Sequence, residues 1–181
     1  FAARNELYMN LPYLDVVLCA LAFKSGEDKT VSLATDGKTL YYDGAYLAER
    51  FLRGRTAVNR AYLHSVLHCM LRHLWKKKGK ALELWDLACD IATEHVIDGL
   101  NHRSIRFPRN AFRANCYGNL EKKLKVLTAE KIYKLFVEEE PEEYKIRKLE
   151  KEFRMDDHSL WPQPPENDNQ PPSSAMEQLN D

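Results

Sequence analysis

The chain has 181 residues, 44% hydrophobic and 30% charged, with 27 basic and 27 acidic side chains. That length suits one domain with a short appendage, and the composition is that of an ordinary globular protein. A zero net charge excludes a global electrostatic pull toward nucleic acid or a membrane surface. The charge is nevertheless uneven. Residues 155–181 hold six carboxylates and no Lys or Arg, leaving 27 basic against 21 acidic residues in 1–154.

Cys19, Cys69, Cys89 and Cys116 are widely spaced and form no C-x-x-C pair. This argues against a disulfide framework or a cysteine zinc knuckle and for free thiols in a reducing cytoplasm. No signal peptide is visible, and the apolar run 11–23 is too short to span a bilayer and contains Pro12 and Asp15. A start at Phe1 and a polar, Pro-rich end suggest a piece of a longer cytoplasmic protein.

In chain order, residues 2–23 read as helix interrupted near Pro12, with Leu14, Val17, Leu18 and Leu21 on one face. The period then changes. Val31 and Leu33, then Leu40, Tyr41 and Tyr42, flank Asp36-Gly37, a strong hairpin signal. Such a hairpin needs helices to pack on. Residues 44–52 read as a short helix, and Thr56 as the cap of a longer one over 57–77. A further helix over 81–100 turns Leu84, Leu87, Ala88, Ile91 and Val96 to the core. Residues 101–119 read as irregular, 129–139 as a helix opened by Thr128, and 142–154 as a charged helix. The fold class is α+β, mostly helical, with a small β element beside the long central helix. The domain spans 1–160, and 161–181 reads as a disordered linker.

The central helix carries His64 and His68, four residues apart and so on one face. Two imidazoles held that way can bite one metal ion, as in the H-E-x-x-H zinc helix, where Glu is the general base. Here that position holds Ser65. Zinc needs at least a third protein ligand. His73, nine residues after His64, points away from the pair unless the helix breaks. Asp86, Asp90, Glu94 and Asp98 recur every four residues on the next helix, and an antiparallel packing brings Asp90 or Glu94 opposite the pair. Asp86 and Asp98 read as a solvated edge of that stripe. Cys69 adjoins His68, but sequence neighbours diverge by about 100° on a helix, a poor geometry for a thiolate–imidazole pair. Arg103, Arg106, Arg109, Arg113, Lys122, Lys123 and Lys125, interleaved with Phe107, Phe112 and Tyr117, form a basic segment. It reads as a solvated loop, as a dock for an acidic partner, or as a surface for single-stranded nucleic acid.

Several short motifs follow in a fixed order: Ala34-Thr35-Asp36-Gly37 with Leu40-Tyr41-Tyr42; His64-x-x-x-His68; Trp85-x-x-Ala88-x-Asp90; residues 128–133; and Asp156-Asp157-His158-Ser159-x-Trp161. This order, over about 7–161, resembles the zincin-like metallopeptidase domain found N-terminal to von Willebrand factor A-like domains in bacterial proteins. The resemblance implies a zinc ion on His64, His68 and Asp90. It also implies a C-terminal A-like domain beyond the linker and work beside an AAA-type ATPase of the MoxR class. The family helix reads His-Glu-x-x-His, so Ser65 replaces the carboxylate that takes a proton from the attacking water. General acid–base help is worth about 10²–10⁴-fold, so the expectation is a zinc-binding, catalytically impaired domain that acts as a structural or peptide-binding module. The alternatives are an active metallohydrolase with Glu94 as substitute base, or a metal-free module that docks an ATPase or nucleic acid through 103–125.

Overall fold

A computed structural model of the chain describes residues 1–26, 28–108 and 110–162. The linker reading therefore falls almost wholly outside the described residues. Helix α1 (Ala2–Asn10) stops before Pro12; a 3-10 turn (Pro12–Leu14) and the short α2 (Asp15–Cys19) follow. Where the sequence predicts helix to residue 23, the chain instead enters strand β1 (Ala22–Ser25). Its pairing partner decides this. β1 runs parallel to β3 with Phe23 opposite Leu40, and the Ala22 amide donates to the Lys38 carbonyl at 3.0 Å.

Strands β2 (Leu33–Thr35) and β3 (Thr39–Tyr42) form the expected antiparallel hairpin. The Asp36 carboxylate accepts from the amides of Lys38 (2.9 Å) and Thr39 (2.7 Å). Gly37 takes φ 88°, a conformation that glycine adopts without Cβ strain. The sheet order is β1-β3-β2. Asp43 caps α3 (Gly44–Leu52) by accepting from the Tyr46 amide at 2.7 Å.

Helix α4 (Arg55–Met70) begins after Gly54, one turn's edge before the expected cap at Thr56. It is the centre of the molecule, with α1, α3, α5 and β2 packed around it. Leu63, Val66 and Leu67 are buried, but so are Asn59, Arg60, His64, Ser65 and His68. A helix covered on every side must satisfy its polar side chains internally. Arg60 and Asn59 do so in part by donating to the carbonyls of Ile105 (3.1 Å) and Ser104 (3.0 Å). α4 ends at Met70, short of the expected residue 77, because Arg72 turns left-handed (φ 61°) into a 3-10 turn over His73–Trp75.

Helix α5 (Leu82–Leu100) packs on α4, α7 and α8. The segment expected to be irregular instead contains α6 (Ala111–Lys123), capped by the Asn110 side chain, which accepts from the amides of Phe112 and Arg113. α7 (Ala129–Glu139) opens at Thr128 as its sequence indicates, and α8 (Glu143–Phe153) ends on the fully buried Phe153. The architecture is thus α+β and mostly helical, with a three-stranded sheet against the central helix. Among the described residues, no helix is long and apolar enough to cross a membrane.

Candidate metal centre

One turn of α4, one turn of α5 and the strap that follows α8 converge at a single buried point. His64, His68, Asp90, Asp156 and His158 each bring one donor atom there, all within 4.8 Å of one another. His64 Nε2 lies 2.8 Å from His68 Nε2 and 3.1 Å from Asp90 Oδ1. His68 Nε2 lies 3.3 Å from the same oxygen. His158 Nε2 is 3.0 Å from Asp156 Oδ1 and 3.3 Å from Asp90 Oδ1, and Asp156 Oδ1 is 3.5 Å from His64 Nε2. Ligands bonded to one zinc ion at about 2.0–2.1 Å in tetrahedral array stand about 3.3–3.4 Å apart. The hydrogen-bonded and ion-paired donors stand from 2.8 Å to 3.9 Å apart, around that value, so the donor set could hold an ion of this size.

The outer hydrogen bonds fit as well. His64 Nδ1 is 2.9 Å from Glu94 Oε1 and His68 Nδ1 is 2.9 Å from His73 Nδ1, whereas His158 Nδ1 is buried without a hydrogen-bond partner, 3.6 Å from Asp86 Oδ1. His64 and His68 can each keep the Nδ1 proton turned to an outer acceptor and leave an Nε2 lone pair for the centre. This is the arrangement that fixes the tautomer of metal-ligating histidines.

Electrostatics in the metal-free cluster follow from burial and crowding. Burial alone lowers the His64 pKa, but hydrogen bonds to Asp90 and Glu94 outweigh it and lift it to about 9. His68 goes the other way, to about 4, through burial and the charge of His64. Burial and the neighbouring His68 hold His73 well below the ordinary imidazole value, which suits its part as an acceptor. Burial raises the Asp90 and Asp156 carboxyls, yet the positive His158 and its hydrogen bonds leave both below the usual carboxylate range.

The residues singled out from sequence divide clearly. His64, His68 and Asp90 come together. His73 does not join the donors but backs His68, because α4 breaks at Arg72. Glu94, weighed as a third ligand and as a substitute base, stands behind His64. Its Oε2 accepts from Arg60 Nε (2.9 Å), Arg60 Nη2 (2.6 Å) and Arg113 Nη1. Burial would raise Glu94, but the His64 hydrogen bond and the charges of His64, Arg60 and Arg113 bring it to about 2. A carboxylate so engaged positions a ring; it is a poor proton acceptor. Asp86 and Asp98, expected at a solvated edge, are both engaged: Asp98 pairs with Arg60 (2.6 Å) and Arg113 (3.1 Å), and Asp86 faces His158.

Ser65 lies fully buried beside the cluster, and its hydroxyl donates to Asp156 Oδ2 at 2.7 Å. Burial pushes the Cys69 thiol up to about 12, which removes it as a nucleophile. The basic segment loses its innermost member: Arg113 points inward to Glu94, Asp98 and Glu152. Asp156 and His158 are the members of the cluster that spacing alone missed. Their only signal was the Asp-Asp-His-Ser-x-Trp motif.

A groove of about 490 Å³, with Val31, Ser32, Lys77, Asp86, Asp156 and His158 in its wall, lies beside the cluster. Neither a curated protein nor a solved structure matches the chain. A family model described as "Putative metallopeptidase domain" matches residues 1–172. With the match covering nearly the whole chain, and with a buried His/Asp cluster that could hold a metal ion, the chain belongs to that metallopeptidase-domain family.

Proposed function

We propose that this domain binds a zinc ion through His64, His68 and Asp90, with Asp156 and His158 as further donors, and that it hydrolyses peptides weakly or not at all. The observation that carries the reading is the convergence of five buried donors within 4.8 Å. Three imidazoles and two carboxylates are an acceptable donor set for zinc. When bound, such an ion supplies Lewis-acid polarisation.

The impairment rests on what stands around the ion. Ser65 has no basicity near neutral pH. Glu94 is held by two guanidiniums and His64. Asp156, the carboxylate nearest Ser65, is kept well below the usual range by its partners once burial is outweighed. None of the three is poised to accept a proton at neutral pH, as general-base catalysis requires. The zincin-like label for the helical core, the cytoplasmic setting, the downstream von Willebrand factor A-like domain and the MoxR-class ATPase partner all belong to this proposal, and they rest on the resemblance in motif order.

Elemental analysis tests the metal reading. The purified chain should carry about one equivalent of zinc, lost in His64→Ala and in His68→Ala. Protein that is metal-free at neutral pH and takes up no zinc on addition refutes it. Peptide hydrolysis that is chelator-sensitive in the unaltered chain refutes the impairment alone.

A further inference from the structure

We propose that residues 154–161 act as a built-in peptide ligand of the metal centre, docked on the sheet edge and on the ion's open side, so that the chain itself holds the site closed. The inference rests on the metal reading above and deepens it.

The edge of β2 that faces away from β3 is where an extended peptide could add to the sheet. The strap uses it: Asp157 bridges Ala34 in parallel, and its amide donates to the Leu33 carbonyl at 2.7 Å. Flanking contacts fix the register. The Met155 carbonyl accepts from Tyr46 Oη at 2.6 Å, and Asp157 Oδ2 accepts from Thr30 Oγ1 at 3.0 Å. The Trp161 carbonyl accepts from Lys77 Nζ at 2.9 Å.

Side chains alternate across a strand, and the alternation matters here. Asp157 turns to Thr30, while Asp156 and His158, its neighbours on either side, turn to the metal cluster. His64, His68 and Asp90 come from two packed helices and make a three-ligand set. In zinc enzymes such a set leaves a fourth position open. Asp156 and His158 are the donors the strap would add to a metal held by that set. Trp161 stacks on the His158 ring at 3.7 Å between centroids and 22° between planes, and is itself buried. Of the five donors, the groove beside the site meets only the strap's Asp156 and His158; none of the three helix donors lines it.

Cobalt(II), added to the metal-stripped chain, is the probe, because its visible spectrum reports coordination. The unaltered chain should bind cobalt, and added acetohydroxamate, a small bidentate ligand, should leave the spectrum unmoved. In His158→Ala the same addition should shift it. Hydrogen exchange on the unaltered chain provides a measurement that depends on no variant. Stripping the metal should speed exchange over 155–161, including the Asp157 amide, and leave α1 unchanged. An equal acetohydroxamate shift in both proteins, or exchange over the strap indifferent to metal, overturns this inference while leaving the metal reading intact. No cobalt uptake by the unaltered chain overturns both.

Discussion

Glu94→Gln is the most informative single change, because Glu94 serves the fold and the metal centre with different oxygens. Oε1 accepts from His64 Nδ1; Oε2 accepts from Arg60 twice and from Arg113. Glutamine fits the same space but has one acceptor oxygen for four donors. If that oxygen faces the guanidiniums, its amide NH₂ meets the His64 Nδ1 proton, and relief requires moving the proton to Nε2, where a metal needs the lone pair. If it faces His64, the NH₂ meets two buried cations. The unfolded value of 4.5 against about 2 in the fold corresponds to roughly 3 kcal/mol of stability. That agrees with the about 3–5 kcal/mol lost when one partner of a buried ion pair is removed; Asp98 and Glu152 still serve the arginines, so the lower end is expected. The same linkage gives a sign. Glu94 is depressed, so its contribution is complete above pH 4.5 and disappears as pH falls toward 2. Urea denaturation of the metal-free protein at pH 7 should show a loss of about 3 kcal/mol that shrinks in acid, and zinc titration should show affinity about 10–100-fold weaker. A variant within about 0.5 kcal/mol of the parent that binds zinc equally well refutes both halves of the reasoning.

Other outcomes follow from the same geometry. Zinc affinity should fall steadily as pH drops below neutrality, since imidazole and carboxylate donors must give up protons to the ion; competition with a chromophoric chelator at several pH values reads this. Trp161→Ala should cost about 3–5 kcal/mol by thermal unfolding, as for other buried aromatics, because the ring is 2% exposed against His158 and His68. His73→Phe should keep the fold but weaken zinc binding about 10–100-fold through lost orientation of His68, measured by calorimetry. Ser65→Glu should destabilise the metal-free protein more than the zinc-loaded one, because a second carboxylate beside Asp156 needs a cation to offset it; paired melting curves test the difference.

What was legible in the sequence was what local chemistry fixes. The Asp36-Gly37 turn, the Thr128 cap and the His64/His68 spacing each act within a few residues, and the structure keeps them. What was not legible depends on distant partners. β1 exists because β3 offers it a ladder; nothing in residues 22–25 alternates strongly enough to announce a strand. α6 is polar and carries Gly118, and beside Leu120 it buries a guanidinium, Arg113, that depends on Glu94, Asp98 and Glu152 as partners. Helical geometry turns His73 away from the pair only while α4 continues, and the left-handed Arg72 ends it. Asp156 and His158 sit in a segment whose composition suggests loop. Their reach to the centre depends on a return of the chain that no local pattern encodes.

On the proposed metal-bound reading, serine rather than glutamate at position 65 has a consequence set by charge. A divalent ion among three neutral imidazoles is balanced by two carboxylates, and Asp90 and Asp156 supply them. Glu94 is balanced separately, on the outer side of His64, by Arg60 and Arg113. With Ser65 the inner group is therefore electrically neutral once the ion is bound, and Asp156 gains a hydroxyl donor at 2.7 Å. A glutamate at 65 would add one buried negative charge with no further cation beside it. Such a group has its pKa raised toward the range where it can take a proton, which is what a catalytic base needs and what a site that only holds its ion does not. On the proposed reading, serine at 65 would leave out the one group whose imbalance could serve turnover, and would leave a centre whose ligand charge and hydrogen bonding suit holding an ion.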